Sequence, residues 1–549
     1  MSRYQSIKTS LQEINQTFEI KLVMGLLIVT MLCWVYTIWI TSITVYPPDV
    51  YHYLKELPNL YWLGFGALII CALLLLHTSS DTRLKIWLSL VFLILFICYL
   101  HGTHVLIYEN PRDLDTYKTA LLSELIITGD ITHPYVNQGN PLYKKEFITG
   151  LISFGQTSQL LGVELHTVAK FYPLIFMVLS ALFVYVTALQ IAPSRYAFIS
   201  PILFASTFWI GQDHIAPQAF SYTMVALLLL LFLLILRNSQ DLSIKKSYLF
   251  LIIIIFLVVV TTHPTTAIFL LFVLIILHIL QSLFGKSSDL SNKSSPYFFV
   301  FSMLFMAYIF LSSGFVIQKV VSTVEAIIES AQSEASIVLH SRAVMNPSIS
   351  YLQTYYIRMF VLLFVAVLSI YLLYFLWRYL SKFDYDMNLI LISFLLGFGG
   401  LGFLLMASGY ATYGIDRAYL FLLLPVSVAT CLCIILPEKD HIETMSVIIK
   451  RLIIILLVIA IITLPITKHC GDPYAFVSSS EYNGFIFKQE MNIRPDQYPI
   501  DDLTLSNIVT NRIELQQSKE LFNEYFVYKT IQEHDHIRIY DSGNLQILT

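Results

Sequence analysis

Two aspartates, Asp113 and Asp115, are the strongest candidates for chemistry in this sequence. They stand in an irregular stretch directly after an apolar run, where two carboxylates can converge on one divalent cation, Mg or Mn. One of them can also act as a general base toward an acceptor hydroxyl. The alternative interpretation is a solvated acidic turn, in which Asp115 caps a helix of about thirteen residues that ends at Gly129. We therefore predict a catalytic or metal-binding role for both aspartates, in competition with a capping role.

A second polar group consists of Asp213, His214 and Gln218, which lie in and after a turn between two apolar runs. A carboxylate, an imidazole and an amide together can contribute to a metal site or position an acceptor. A capped helix that starts at Pro217 explains Asp213 and Gln218 equally well. We predict that the three residues bind substrate, and the capping interpretation stays open.

Three further residues at the ends of apolar runs or in a loop are predicted to bind substrate: His263, Arg342 and Arg417. For His263, which precedes Pro264, an interfacial hydrogen bond is the competing interpretation, and the neighbouring threonines can satisfy backbone groups freed by the proline. The Arg417 guanidinium can hold a lipid phosphate through bidentate contacts. An ion pair with Asp416 or snorkelling to the interface explains Arg417 as well. The same two interpretations apply to Arg342.

The apolar runs that carry these residues dominate the chain. Of its 549 residues, 57% are hydrophobic and 13% are charged, and the mean hydropathy is +0.71. Soluble domains carry about 25% charged residues, so this composition predicts an integral membrane protein. The formal net charge of −3 argues against a nucleic-acid partner, which requires a basic surface.

The predicted fold class is an all-α polytopic membrane protein. A spanning helix needs about twenty apolar residues. Such runs predict about thirteen transmembrane helices, at 20–43, 59–77, 85–107, 168–191, 197–212, 219–237, 247–262, 264–284, 297–317, 354–377, 387–408, 417–436 and 451–467. The junction at Thr262-His263-Pro264 is compatible with a helical hairpin or with one kinked helix.

Charge bias predicts the orientation of the chain. Short loops rich in Lys and Arg put the N-terminal segment, residues 1–19, in the cytoplasm, and an odd number of spans then puts the C-terminal region, 468–549, outside. The transmembrane domain, 20–467, includes two large outer loops, 108–150 and 318–353. Alternating apolar residues around an Asp-Ser-Gly-Asn turn near the C-terminus predict a β-hairpin. We therefore expect a small α+β appendage there.

Known nucleotide and hydrolase motifs do not account for the polar residues. The sequence has no Walker loop, no Gly-x-Gly-x-x-Gly after a predicted strand, no His-Glu-x-x-His and no Gly-x-Ser-x-Gly. The spans also carry almost no mid-bilayer charge, which is unusual for an ion-coupled transporter.

The arrangement resembles the GT-C superfamily of polytopic glycosyltransferases, which take sugars from polyprenyl-phosphate or dolichyl-phosphate carriers. The resemblance is carried by Arg112-Asp113-Leu-Asp115-Thr-Tyr-Lys, Ile127-Thr-Gly129-Asp-Ile, Ala216-Pro217-Gln218-Ala-Phe, Thr262-His263-Pro264-Thr-Thr and Asp416-Arg417-Ala-Tyr, most similar to archaeal-type members. It implies that Asp113 or Asp115 deprotonates the acceptor or binds a metal, and that Arg417 holds donor phosphate. Two features depart from the family: the acidic loop follows the third predicted span rather than the first, and the tail lacks a Trp-Trp-Asp-type acceptor motif.

The expected function is therefore transfer of a sugar, with inversion, from a lipid-phosphate donor to a lipid-linked glycan, a protein or another surface acceptor. The expected partners are the lipid bilayer, that donor and that acceptor. A transporter or flippase for a lipid-linked or small substrate is the first alternative. The second is a glycan polymerase or ligase whose site is the loop 318–353, with Glu325, Glu329 and Arg342.

Overall fold

The protein is helical throughout the part of the chain that a computed structural model describes: residues 2–41, 54, 57–77, 83–107, 114–128, 148–206, 215–237, 242–284, 294–311, 349–378, 385–407 and 415–439. No strand occurs in these ranges. The helices are α1 (Ser2–Ile40), α2 (Asn59–His77), α3 (Arg83–Ile97), a π-helical turn (Cys98–Gly102), α4 (Thr103–Ile107), α5 (Leu114–Thr128), α6 (Ile148–Leu161), α7 (Leu165–Ile191), α8 (Ser194–Ala197), α9 (Ile199–Ala205), α10 (Pro217–Arg237), α11 (Leu242–Thr262), α12 (Pro264–Phe284), α13 (Ser294–Leu311), α14 (Ile349–Arg378), α15 (Tyr385–Ala407) and α16 (Ile415–Lys439).

The multi-pass character predicted from composition is confirmed. Eight helical segments of the described residues are long and apolar enough to cross a membrane: Phe18–Ile40, Asn59–His77, Arg83–Ile107, Thr167–Ile191, Pro217–Ile235, Lys245–Thr262, Pro264–Phe284 and Phe360–Arg378. They match eight of the predicted spans. Three more predicted spans coincide with α13, α15 and α16, which have shorter apolar sections. The last predicted span, 451–467, and the α+β appendage at 468–549 lie outside the described residues, so a total of thirteen stays a prediction.

The predicted span 197–212 is not a single helix in its described part. The chain forms the short helices α8 and α9 instead, with a break at Phe198. Pro201 has no N–H to donate to the carbonyl of Ala197, which interrupts the helical ladder at this position. Two helices of four and seven residues are too short to cross the hydrocarbon, which requires about twenty residues.

The first three spanning segments are joined by what we call the N-terminal junction, a set of residues around the π-helical turn: Thr30, Trp34, Tyr61, Gly64, Tyr99 and Thr103. The Tyr61 hydroxyl and the Thr103 hydroxyl both donate to the carbonyl of Tyr99, at 2.9 and 2.8 Å. The Tyr99 hydroxyl donates to the carbonyl of Thr30 at 2.8 Å, and the Trp34 indole donates to the Thr103 hydroxyl at 3.1 Å. A π turn disturbs the regular pairing of backbone groups. The hydroxyls of Tyr61 and Thr103 satisfy one carbonyl of this turn, that of Tyr99.

The structure identifies α11 and α12 as a helical hairpin rather than one kinked helix. The Phe269 ring of α12 stacks on Phe421 at 4.1 Å, and Phe421 also contacts Tyr222 of α10, with 6.0 Å between ring centroids. Tyr222 lies further into the bundle than Pro217, the first residue of α10. Because Phe269 shares the contact with Phe421, it must also lie further into the bundle than Pro264. The chain therefore turns back at His263. We call the end of the bundle where α10 and α12 begin the outer end, after the orientation that the charge bias predicts.

The loop helices α5 and α6 lie against the outer ends of α7 and α10. Residues from α6, α7 and the segment before α10 form an aromatic cluster: Phe154, Val168, Ala169, Tyr172, Phe176 and Ile215, with Ala120 of α5 and Phe220 of α10 packed against it. Phe154 meets Tyr172 edge-on at 4.6 Å. α5 approaches α6 so closely that a Cβ on Gly155 would overlap the Ile127 side chain. Apolar packing thus fixes the first outer loop to the spanning helices.

Candidate active site at the outer end

Three helices meet at Gly150, in the first turn of α6. A Cβ on Gly150 would lie 3.1 Å from Cγ2 of Thr262 and 3.3 Å from Cβ of Pro217. Thr262 is the last residue of α11, and Pro217 is the first of α10. This contact brings together three distant parts of the sequence, of which Gly150 and Thr262 are 112 positions apart. We call the set Gly150, Pro217, Gln218, Thr262 and His263 the outer junction.

His263 caps the N-terminus of α12. Its Nδ1 accepts a hydrogen bond from the backbone N–H of Thr266 at 3.3 Å and lies 2.7 Å from the Thr266 hydroxyl. Because Nδ1 accepts the backbone hydrogen, the neutral ring carries its own hydrogen on Nε2. The side chain is 4% exposed. The structure thus gives His263 a hydrogen bond within the start of α12 and a defined tautomer, and substrate binding by His263 stays a prediction.

Gln218 and Thr262 are buried beside this cap without a hydrogen-bond partner in the described part of the chain. Gln218 is 5% exposed and Thr262 is fully buried. The unpartnered atoms are the Gln218 Nε2 and the Thr262 Oγ1. The neighbouring Thr261 hydroxyl, in contrast, donates to the carbonyl of Leu257 at 2.9 Å. The Leu257 carbonyl lies inside α11 and is not a group freed by Pro264, so the prediction that the threonines satisfy freed backbone groups stays open.

The start of α16, which carries Arg417, lies next to the start of α10. The Tyr222 hydroxyl of α10 donates to the carbonyl of Leu420 at 2.5 Å. Gln218 lies one turn outward from Tyr222, and Arg417 lies about one turn outward from Leu420. The backbones of these two predicted substrate-binding residues therefore occupy the same level at the outer end.

The predicted acidic site is described in part. Asp115 lies in the first turn of α5, which begins at Leu114. An Asp115 cap would put the first helical residue at Thr116, so the helix starts two residues earlier than predicted. It ends at Thr128, next to Gly129, as predicted. Asp113, Asp213, His214 and Arg342 lie outside the described residues. Their roles stay predictions.

No group of three or more His, Cys, Asp or Glu that could hold a metal ion occurs among the described residues. Asp113 is not one of these residues, so metal binding by Asp113 and Asp115 stays a prediction. α6, α10, α11 and α12 contain no Asp or Glu. Among the described residues, the outer junction therefore presents amide, hydroxyl and imidazole groups.

Two features of the outer end were not anticipated from the sequence. The first is Gly150, since nothing in its local sequence indicates that two other helices approach it. The second is His101, which is 3% exposed and whose Nε2 lies 3.0 Å from the carbonyl of Ala205, at the end of α9. The sequence signal that could have identified His101 is its position near the end of an apolar run.

No protein-family model and no curated protein sequence matches this chain. The chain is similar to solved structures of the oligosaccharyltransferase of Archaeoglobus fulgidus. The apo form is 13% identical, with a TM-score of 0.48 over 77% of this chain and 60% of that chain. The AglB complex with an inhibitory peptide and a dolichol-phosphate is 14% identical, with a TM-score of 0.47 over 75% of this chain and 58% of that chain.

A third structure of the same enzyme, tethered to an acceptor peptide, is 15% identical, with a TM-score of 0.45 over 77% of this chain and 59% of that chain. The chain thus spans about 60% of the length of the apo enzyme. Identities of 13% to 15% are too low to assign the chain to a family.

Proposed function

We propose that the protein is a membrane glycosyltransferase of GT-C type. It moves a sugar from a polyprenyl- or dolichyl-phosphate-linked donor to a lipid-linked glycan, a protein or another surface acceptor. The reaction takes place at the outer end, with the N-terminus in the cytoplasm and the C-terminal region outside the cell.

The observation that carries this proposal is the convergence of separate parts of the chain at the outer end. Gly150, Pro217 and Thr262 meet at one point. The aromatic cluster holds α5, whose first turn contains Asp115, on α7 and α10. An acidic pair and a set of buried donors on spanning helices are the groups that a membrane-embedded transfer reaction needs: a base for the acceptor and a binding site for the leaving group.

In the proposed reaction the acceptor hydroxyl oxygen attacks the anomeric carbon of the donor sugar. The bond between that carbon and the phosphate oxygen breaks, and the lipid phosphate leaves with the electron pair. The hydroxyl proton passes to the carboxylate of Asp113 or Asp115, or these residues hold a divalent cation that activates the acceptor. Attack on the face opposite the leaving group inverts the anomeric configuration. Six residues are proposed to bind substrate: Asp213, His214, Gln218, His263, Arg342 and Arg417.

The test is mass spectrometry of surface glycans and lipid-linked sugars in cells with and without the gene. Deletion should shorten a glycan by one residue, and wild type should restore it. The double variant Asp113→Asn/Asp115→Asn should fail to restore it, because a general base or metal ligand is lost, which removes about 10²–10⁴-fold in rate. Glu124→Gln, which removes an exposed carboxylate from the same loop helix, is the matched control and should restore it.

Two results would contradict the proposal in different ways. Full restoration by the double variant would remove Asp113 and Asp115 from the mechanism. An unchanged glycan profile after deletion would favour a transporter, and substrate flux in proteoliposomes without a covalent product would establish it. Loss of activity confined to alanine substitutions in 318–353 would favour the polymerase or ligase.

A further inference from the structure

α1 continues beyond its spanning segment as one unbroken helix. It runs from Ser2 to Ile40, whereas the segment apolar enough to cross a membrane begins at Phe18. The Sγ of Cys71 in α2 lies 3.9 Å from the carbonyl of Val23, and α2 ends six residues after Cys71. Because α1 and α2 are antiparallel and each residue rises about 1.5 Å, α2 ends level with about residue 17 of α1. Residues 2–17, which we call the N-terminal extension, therefore project past α2.

The apolar residues of the N-terminal extension have the spacing of a coiled coil. They are Tyr4, Ile7, Leu11 and Ile14, alternately three and four positions apart, and the other twelve residues of 2–17 are polar or charged. Apolar residues at positions a and d of a seven-residue repeat favour two helices wound around each other. Six of the twelve polar residues are Ser, Thr or Asn, which form helices poorly. The extension therefore needs a packing partner to remain helical.

The same seven-residue repeat continues through the spanning segment. Its a and d positions there are Phe18, Lys21, Gly25, Ile28, Leu32, Val35 and Trp39. The five large apolar residues of this set are 52% to 81% exposed, and nothing lies within 4 Å of the Cβ position at Gly25. Lys21 is near the end of the span, where a long side chain can reach water. We call the eleven a and d positions from Tyr4 to Trp39 the α1 seam.

A different face of α1 packs on the rest of the bundle. Its buried residues are Val23, Leu27, Thr30, Cys33 and Thr37, which occupy positions b, c and f, on the far side of the helix from a and d. In the N-terminal extension, positions b, c and f hold only Ser, Thr, Gln and Glu. The apolar positions of the extension are therefore on the side of α1 that faces away from the described helices of its own chain.

We propose that α1 forms a parallel two-stranded coiled coil with α1 of a second copy of this chain. Two copies in one membrane carry the α1 seam at the same depth and in the same direction. A twofold axis along the membrane normal then pairs a with a and d with d, from the water into the bilayer. At Gly25 the two helices can approach closely, as transmembrane helices do at small residues.

The size and the continuity of the α1 seam favour a second copy over the membrane surface as the partner. Five heptads with positions a, d, e and g provide about twenty residues per copy, as many as a standard protein–protein interface uses. An amphipathic helix can instead lie in the plane of the membrane. α1 is continuous with its span, so the extension does not turn into that plane.

The first experiment is oxidative cross-linking of the full chain in isolated membranes. Ile14→Cys places a thiol at position d, and Gln16→Cys places one at position f as the matched control. Oxidation should join Ile14→Cys chains into a species of twice the chain mass, well above the amount formed by wild type, whose own cysteines set the background. Gln16→Cys should form no more of this species than wild type does.

The second experiment measures energy transfer between donor-labelled and acceptor-labelled copies in lipid vesicles as the protein is diluted. Ile7→Glu/Leu11→Glu should raise the dissociation constant of the dimer at least about tenfold, because it puts charges into two apolar layers of the seam. Thr9→Glu/Gln16→Glu adds the same charges at position f and should leave the dissociation constant nearly unchanged.

Lys8→Glu tests the direction of the pairing. In a parallel dimer, Lys8 at position e lies opposite Arg3 at position g of the second copy. Glutamate at position 8 replaces two like-charge contacts by two ion pairs, so it should lower the dissociation constant about threefold.

Chains that stay monomeric at every protein density would overturn the proposal. Equal cross-linking of Ile14→Cys and Gln16→Cys would also overturn it, because it would indicate random collision rather than a seam. Weaker association in Lys8→Glu would contradict pairing with a second copy and indicate an acidic partner, such as lipid headgroups. None of these measurements involves sugar transfer, so their outcome is independent of the proposed function.

Discussion

The N-terminal junction and the outer junction are both places where helices meet closely around a glycine and several polar side chains, but they differ in hydrogen bonding. At the N-terminal junction, Thr103 is fully buried, donates to the Tyr99 carbonyl at 2.8 Å and accepts from Trp34 at 3.1 Å. At the outer junction, Thr262 is equally buried, and its hydroxyl has no partner in the described residues.

This difference distinguishes a satisfied polar network from a buried hydroxyl that has no partner in the described residues. A satisfied polar network in apolar surroundings stabilises and specifies the packing of the helices that carry it. An unsatisfied buried group lowers stability. At equal burial, the Thr103 hydroxyl therefore stabilises its junction, whereas the Thr262 hydroxyl makes no such contribution.

The largest expected effect on folding is that of Gly64→Ala at the N-terminal junction. A Cβ at Gly64 would lie 1.9 Å from the Tyr99 hydroxyl oxygen and 2.8 Å from Cβ of Cys33. The Tyr99 hydroxyl is held by the carbonyl of Thr30, so it has little freedom to move. Overpacking of this kind costs about 1–3 kcal/mol or more. Thermal unfolding in detergent should show a large decrease in melting temperature.

Gly66→Ala is the control for this prediction, because nothing lies within 4 Å of the Cβ position at Gly66. It should be close to neutral or slightly stabilising, since alanine favours the helix over glycine by about 0.5–1 kcal/mol. If both alanine variants unfolded at the wild-type temperature, the close packing of α1, α2 and α3 would be refuted.

The second expected effect comes from one substitution made at both junctions. Thr103→Val removes two hydrogen bonds and leaves the Trp34 indole without its partner, so it should lower the free energy of unfolding by about 1–3 kcal/mol. Thr262→Val replaces an unpartnered hydroxyl by a methyl group of similar size, so stability should be unchanged or higher. Sugar transfer should show the opposite pattern, with the greater loss in Thr262→Val, because Thr262 directly precedes His263, which is proposed to bind substrate.

Melting temperatures and transfer rates measured on the same purified samples test this pair. Equal destabilisation by the two valine variants would show that Thr262 has a structural partner, and the distinction between the junctions would fail. Unchanged transfer in Thr262→Val would show that Thr262 does not act on the substrate.

The spanning architecture could be predicted from the sequence because each span is a nearly continuous apolar run whose ends are marked by polar residues or proline. Pro217 and Pro264 start helices as expected for proline at the first helical position. The break at Phe198 was missed, because the hydropathy of 197–212 is that of a span and the effect of Pro201 on the ladder is local.

The candidate site could be predicted in its residue types and not in its arrangement. Gln218 and His263 were recognised because polar residues at the ends of spans are unusual. Their association through Gly150 depends on helix packing over long sequence separations, and no local pattern encodes it. The hydrogen bond between His101 and the Ala205 carbonyl likewise joins residues 104 positions apart.

The smallest expected effect is that of Gly150→Ala at the outer junction. The added Cβ would lie 3.1 Å from Thr262 and 3.3 Å from Pro217, so α6 must shift by a few tenths of an ångström away from α10 and α11. The overpacking and the gain of about 0.5–1 kcal/mol in helix propensity nearly cancel in stability. The rate of sugar transfer should fall by a small factor, because Gln218 and His263, which follow Pro217 and Thr262 directly, are proposed to bind substrate.

Gly400→Ala in α15 measures the effect of helix propensity alone, because its Cβ position has no neighbour within 4 Å. It should raise the melting temperature slightly and leave sugar transfer unchanged. A Gly150→Ala variant that gains as much stability as Gly400→Ala, with an unchanged transfer rate, would show that the approach of α6 to the other two helices has no part in the reaction. A loss of transfer at nearly constant stability would show that the outer junction, unlike the N-terminal junction, uses its close packing to position residues that bind substrate.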